Sequence, residues 1–108
     1  MEAYEISCNV LDTANSQKVV SAGASTQSTA LTAPASNSLV PTQSSIPCLI
    51  TADAIGFIIQ GINPVATNTG TCQIVLANSS YRVKIVAGNK IAYIPLVGSG
   101  NLYITPQG

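Results

Sequence analysis

The chain has no histidine among its 108 residues and only four carboxylates, Glu2, Glu5, Asp12 and Asp53. The first absence removes Ser-His and Cys-His nucleophile pairs, because no imidazole is there to take the proton. The second leaves little for a two-carboxylate mechanism: three of the four lie in the first twelve residues, and Asp53 would have to be recruited to one of them. A phosphate-cradling glycine loop, a dinucleotide fingerprint and a calcium loop are also missing. Charge of either sign is scarce. Ionic residues make up 7% of the chain and the formal net charge is zero, against about 25% ionic residues in an ordinary globular domain. There is no basic stripe of the kind that binds nucleic acid. The longest apolar run, residues 54–59, is far too short to cross a bilayer. The acidic start, Met1-Glu2-Ala3-Tyr4-Glu5, has neither the basic nor the apolar region of a signal peptide, so a cytoplasmic origin is expected.

Cysteine is sparse as well. Cys8, Cys48 and Cys72 are odd in number, widely spaced and without a histidine to complete a zinc site. All three are expected as small buried hydrophobes. No catalytic residue, metal or cofactor is expected, nor a nucleic-acid or membrane partner. Asp53 is read as a turn residue whose carboxylate accepts nearby backbone N–H groups in Thr51-Ala52-Asp53-Ala54.

What the chain does have is apolar content, 46%, in a length suited to one domain, residues 1–108, with a modest core. Its polar surface must then be serine, threonine, asparagine and glutamine. Cytosolic monomers usually rely on interspersed charge for solubility. Either much of this surface is buried against other subunits, or the protein works outside the cell.

No helical periodicity is evident, and alternation dominates. Residues 81–86 alternate apolar and polar side chains, Gly88-Asn89 interrupts, and residues 90–96 resume. Gly98-Ser99-Gly100 then breaks the chain before a last strand at residues 102–105. Both breaks have the composition of hairpin turns, which predicts a three-stranded meander. One face would carry Tyr81, Val83, Ile85, Ala92, Ile94, Leu96, Leu102 and Ile104. The other would carry Arg82, Lys84, Val86, Ile91, Tyr93, Pro95, Tyr103 and Thr105. One conflict accompanies this register. Pro95 would face Tyr103 at a hydrogen-bonded pair, where it has no N–H to give. Either a bulge sits there, or the last strand pairs elsewhere.

Upstream, residues 4–10 alternate as a half-buried strand and residues 18–20 begin a short one. Residues 21–45 form a low-complexity Ser/Thr/Ala stretch, expected as a long loop or extended arm with short strands near Ala30 to Thr32 and Leu39-Val40. Strands follow at residues 46–51, at 55–60 with a possible bulge at Gly56, and at 72–77 with Cys72, Ile74 and Leu76 on one face. Turns about every ten residues describe an all-β, antiparallel β-sandwich or jelly roll. On the second face of the meander Arg82, Lys84, Ile91, Tyr93 and Tyr103 are candidates for contact with another protein, since tyrosine and arginine are enriched in interface cores. A half-solvated face, or one covered by residues 21–45, would explain the same residues.

Residues 46–106 resemble a group of small tailed-phage virion proteins. The similarity runs through Cys48-Leu49-Ile50-Thr51-Ala52-Asp53, Phe57-Ile58-Ile59-Gln60-Gly61 and Asn63-Pro64-Val65-Ala66-Thr67. It continues in Leu76-Ala77, Tyr81-Arg82-Val83-Lys84-Ile85, Gly88-Asn89-Lys90-Ile91 and Gly98-Ser99-Gly100-Asn101-Leu102-Tyr103-Ile104-Thr105. The resemblance implies a capsid decoration or cement protein that binds the major capsid protein and stabilises the assembled head. It implies a homo-oligomer, a trimer by family analogy, made in the host cytoplasm and carried on the virion. The alternative is a tail- or fibre-associated module binding a host-surface glycan, for which Tyr4, Tyr93 and Tyr103 are the candidate aromatics.

Overall fold

The chain is described by a computed structural model, which gives residues 16–31 and 45–106. The expected strands at residues 4–10 and at Leu39-Val40 lie outside these described residues. The rest is all-β: β1 Gln17–Ser21, β2 Thr26–Gln27, β3 Ser45–Ala52, β4 Gly56–Gly61, β5 Gln73–Val75, β6 Ser79–Val86, β7 Lys90–Pro95 and β8 Gly100–Pro106. They form two four-stranded sheets, ordered β1-β8-β3-β6 and β2-β7-β4-β5.

Pairing follows a nested rule. The first strand pairs with the eighth, the second with the seventh, the third with the sixth and the fourth with the fifth, all antiparallel. The ladders β3–β8 and β4–β7 then close each sheet. A long double strand rolled across two sheets in this way is a jelly roll. Inside it, β3 shows strict period-two burial, with Ile46, Cys48, Ile50 and Ala52 all at 0% exposure. Leu102 and Ile104 of β8 and Ile85 of β6 complete that inner wall. From the other sheet Ile58, Val75, Ile91 and Tyr93 face them. Each such aliphatic side chain contributes about 1.5–3 kcal/mol by leaving water.

The expected meander is not formed. β6, β7 and β8 are consecutive, yet β7 lies in the opposite sheet from its two neighbours. The two glycine breaks reverse the chain, but as corners between sheets. At the first, the Asn89 N–H donates to Val86 O (2.9 Å) and Gly88 takes φ of 91°, a type II pattern that only glycine adopts easily. Leu31 pins this corner, accepting from Gly88 N–H and donating to Asn89 O. Pro95 therefore never meets Tyr103. It ends β7 opposite Gly56, and β8 pairs with β1 and β3 instead.

The inward faces of β6 and β8 are as the alternation predicts, whereas β7 is inverted by one residue. Ile91, Tyr93 and Pro95 point inward, Leu96 is 43% exposed, and Ala92 is buried from the outside. The 61–67 connection lies over that spot: Gln27, paired with Ala92, donates to Asn63 Oδ1 and Pro64 O, and Ala66 N–H donates to Ser25 Oγ. β5 is shorter than expected and also inverted, with Val75 buried and Ile74 and Leu76 exposed. No bulge occurs at Gly56. It sits in a regular ladder, and its missing Cβ makes room for Ile94 O and the Tyr93 ring. Within the 21–45 stretch a short strand forms at Thr26–Gln27; of the strand expected near Ala30 to Thr32, Ala30 and Leu31 are outside any strand and Thr32 lies outside the described residues.

Two glutamines close the open sides of the sandwich. The Gln17 amide donates to Thr29 O and accepts from Thr29 N–H, tying β1 to the segment that follows β2. On the other side the Gln60 amide donates to Lys84 O (3.1 Å) and accepts from Val86 N–H (3.0 Å), tying β4 to β6. A side-chain amide serves here as the peptide group that a further strand would supply.

Candidate interaction surface

The five candidate residues separate into two groups. Arg82, Lys84 and Tyr103 lie on the outer face of the first sheet and are exposed. Ile91 and Tyr93, at 1% and 0% exposure, are in the core. The reason is the corner at Gly88: β7 crosses to the other sheet, and the set of side chains assigned outward turns inward. Tyr93 is a core anchor. Its hydroxyl donates to Ala54 O (2.7 Å) across the sandwich, and burial, with the Asp53 carboxylate nearby, pushes its pKa up. Replacing Tyr93 with alanine would open a core cavity costing about 3–5 kcal/mol, so Tyr93 is not part of an assembly surface.

The outer face of the first sheet is built in rows of cross-strand neighbours. One row runs Lys18, Tyr103, Thr51, Ser80 across the four strands. Lys18 Nζ stands 5.8 Å above the Tyr103 ring, within cation–π range. Thr51 and Ser80 share a 2.9 Å hydroxyl hydrogen bond. The next row is Ser16, Thr105, Leu49, Arg82, with Ser16 Oγ donating to Thr105 Oγ1. Lys84 follows on β6 opposite Pro47, which lies one position beyond the last β3–β8 pair, where a strand tolerates proline. Three of the chain's four cations thus share this face, among hydroxyls, Leu49 and the exposed valines Val20 and Val86. Lys18 was missed by the sequence reading because the β1–β8 pairing that sets it on Tyr103 joins residues 85 apart.

At the rim of this face Asp53 is clasped to Asn101. The Asn101 N–H donates to Oδ1 (2.7 Å) and its Nδ2 to Oδ2 (2.8 Å), while Asp53 N–H donates to Asn101 O. These bonds hold the Asp53 carboxyl below its usual pKa. The carboxylate accepts a backbone N–H from Asn101 at the start of β8, and its own backbone N–H adds to the lowering of its pKa as expected of a turn residue. Beyond it, at the β7–β8 corner, Leu96 and Val97 are exposed, the latter by 80%.

The cysteines divide too. Cys48 is fully buried, and burial pushes its thiol up to about 11. Cys72 is half-exposed, and the Thr67 N–H at 3.4 Å lowers its pKa, so it is not the core hydrophobe expected. Cys8 lies outside the described residues. Among the described residues no three His, Cys, Asp or Glu side chains gather to hold a metal. Compared with protein families, curated proteins and solved structures, the chain matches none.

Proposed function

We propose that this chain is a structural protein of a tailed-phage virion, a decoration or cement protein that seats the outer face of its first sheet on the assembled head. The observation that supports this reading most is that face itself. Its polar side chains are mostly hydroxyls, it carries Lys18, Arg82 and Lys84 with one carboxylate, Asp53, at its rim, and Tyr103 is exposed among them. Covering hydroxyls costs far less desolvation than covering ion pairs, and Tyr and Arg are the residue types that anchor interface centres. The occupant is the major capsid protein, presenting an acidic or neutral surface, and the chain acts as a homo-oligomer. A chain with so few ionisable groups has little to react with, so it works by holding. Synthesis in the host cytoplasm and service on the virion fit a Ser/Thr-rich surface poor in charge.

The test uses heads purified without this protein and the protein added back. Many copies over the shell and a raised temperature of genome release are expected. Tyr103→Ala combined with Lys84→Glu should lower occupancy while leaving the melting temperature of the free protein unchanged. Equal release temperatures with and without the protein would count against cementing. A few copies at one vertex would favour the glycan-binding tail module, which now rests on Tyr103 alone among the described candidates, since Tyr93 is buried.

A further inference from the structure

The two outer faces of the sandwich are unlike. In the second sheet one row of paired residues runs Ile74, Phe57, Ile94 across β5, β4 and β7. The residues next to them along the strands, Val75, Ile58 and Tyr93, are buried in the core, so this row points outward. Ile55 and Leu96 extend the face by one step, where the Leu96 N–H donates to Ile55 O (2.8 Å). In the other direction Ile59 pairs with Ala92, and the 61–67 connection over Ala92 exposes Ile62 and Val65. An antiparallel sheet that faces water turns polar residues outward. Here every outward position from Ile55 to Ile59 and from Ala92 to Leu96 is apolar.

Charge decides what each face can meet. The strands of the second sheet hold one ionic residue, Lys90, at the end of β7 opposite Gly61. Two copies of the first sheet's face would set Lys18, Arg82 and Lys84 against the same three cations, and like charges oppose contact. Two copies of the second face carry no such penalty when a two-fold axis runs along the row of Ile74, Phe57 and Ile94. Lys90 lies four residues from Ile94, so the two Lys90 then stand about 27 Å apart along the strands, beyond the ~8 Å screening length at physiological salt. Area agrees. Four strands by six residues measure about 19 by 20 Å, or about 400 Å² in plane and more in accessible surface. The smallest specific interfaces cover about 500 Å² of each partner, and the 61–67 connection adds to this face. Residues beyond the described ones suit it less well: 32–44 hold Leu39 and Val40 as their only large apolar side chains, and 1–15 bring Glu2, Glu5 and Asp12.

We propose that the outer face of the second sheet is the contact between two copies of this chain, packed face to face about a two-fold axis along the row of Ile74, Phe57 and Ile94. An isologous contact needs a patch that complements itself, and an apolar face with its single cation at one end does so. The pair leaves the outer face of each first sheet free. The proposal therefore stands apart from the virion reading: a monomeric chain sinks it and leaves head binding to be judged by occupancy.

The experiment is the solution mass of the full-length chain by sedimentation equilibrium. A discrete mass of two copies is expected for the wild type, not weakened in about 1 M salt because the contact is apolar. Ile74 and Leu96, 41% and 43% exposed, are the places to substitute without opening the core. Ile74→Lys and Leu96→Asp are each expected to weaken the pair about a hundredfold, tenfold from each copy. Tyr103→Ala with Lys84→Glu, on the first sheet, should leave the mass unchanged. A monomeric wild type overturns the proposal, as does open-ended association or a pair untouched by both second-sheet variants. So does a second-sheet variant that loses stability as a monomer, which would place the chain's own residues over the face. Should both variants fail to fold, salt and the first-sheet variant still decide: a pair dissolved by either overturns the proposal, and one that survives both supports it.

Discussion

Asp53 and Asn101, 48 residues apart, hold each other by backbone and side chain together, and so join the β3–β4 corner to the start of β8. Each is the other's hydrogen-bond donor and acceptor. This clasp fastens one end of the roll, as the two glutamine amides fasten its sides.

Replacing Asp53 with alanine should cost about 1 kcal/mol at neutral pH, the value of a charged hydrogen bond discounted for its exposure to water. The pH dependence has a definite sign. Asn101 lowers the folded-state pKa of Asp53, so the stabilisation is present above the ordinary carboxylate range and is lost as pH falls through the folded value. Urea midpoints of the wild type and Asp53→Ala should therefore converge on acidification. A gap that stays constant into strong acid would show that the charge is irrelevant.

Gly100 and Tyr93 are coupled by contact. A Cβ at Gly100 would stand 2.5 Å from the Tyr93 hydroxyl and 2.8 Å from Ala54 Cβ. Gly100→Ala should destabilise by about 2–3 kcal/mol through overpacking, and Tyr93→Phe by about 1 kcal/mol through the lost bond to Ala54 O. Combined, they should cost less than the sum, since removing the hydroxyl relieves the closest clash. Chemical denaturation of the four proteins checks this, and strict additivity would mean that the ring does not sit against Gly100.

The cysteines offer a test of burial in a Cys8→Ser background. Cys72 should react with a thiol reagent in the native protein, whereas Cys48 should react only on unfolding. Because burial raises the folded pKa of Cys48 from 9.0 to about 11, its contribution is complete below pH 9 and is lost as pH rises from there toward 11. The loss amounts to about 2 kcal/mol. Cys48→Ala should show a correspondingly shallower alkaline decline in its urea midpoint. Rapid native labelling of Cys48 would contradict the packing of β3.

Most strand positions were legible because a strand exposed on one side writes its orientation in alternation, as residues 81–86 and 102–105 do. β7 was not legible in this way. Lys90-Ile91-Ala92-Tyr93-Ile94-Pro95 is covered on both faces by the core and the 61–67 connection, so apolar residues occupy both parities and the pattern admits either face. Pro95 was the one local sign that β8 pairs elsewhere, because a missing N–H is costly opposite a hydrogen-bonded partner. The candidate surface suffered the same ambiguity: Arg82, Lys84 and Tyr103 lie where alternation puts them, and Ile91 and Tyr93 do not.

The sequence by itself determined the all-strand composition, the places where the chain reverses and the poverty of reactive groups, since these depend on neighbouring residues or on residue types alone. Only the tertiary structure decided which sheet each strand joins, that Tyr93 anchors the interior, and that Lys18 meets Tyr103. A glycine turn fixes that a chain doubles back; whether it returns beside itself or crosses to the facing sheet depends on apolar surface buried between residues far apart, and no local pattern encodes that.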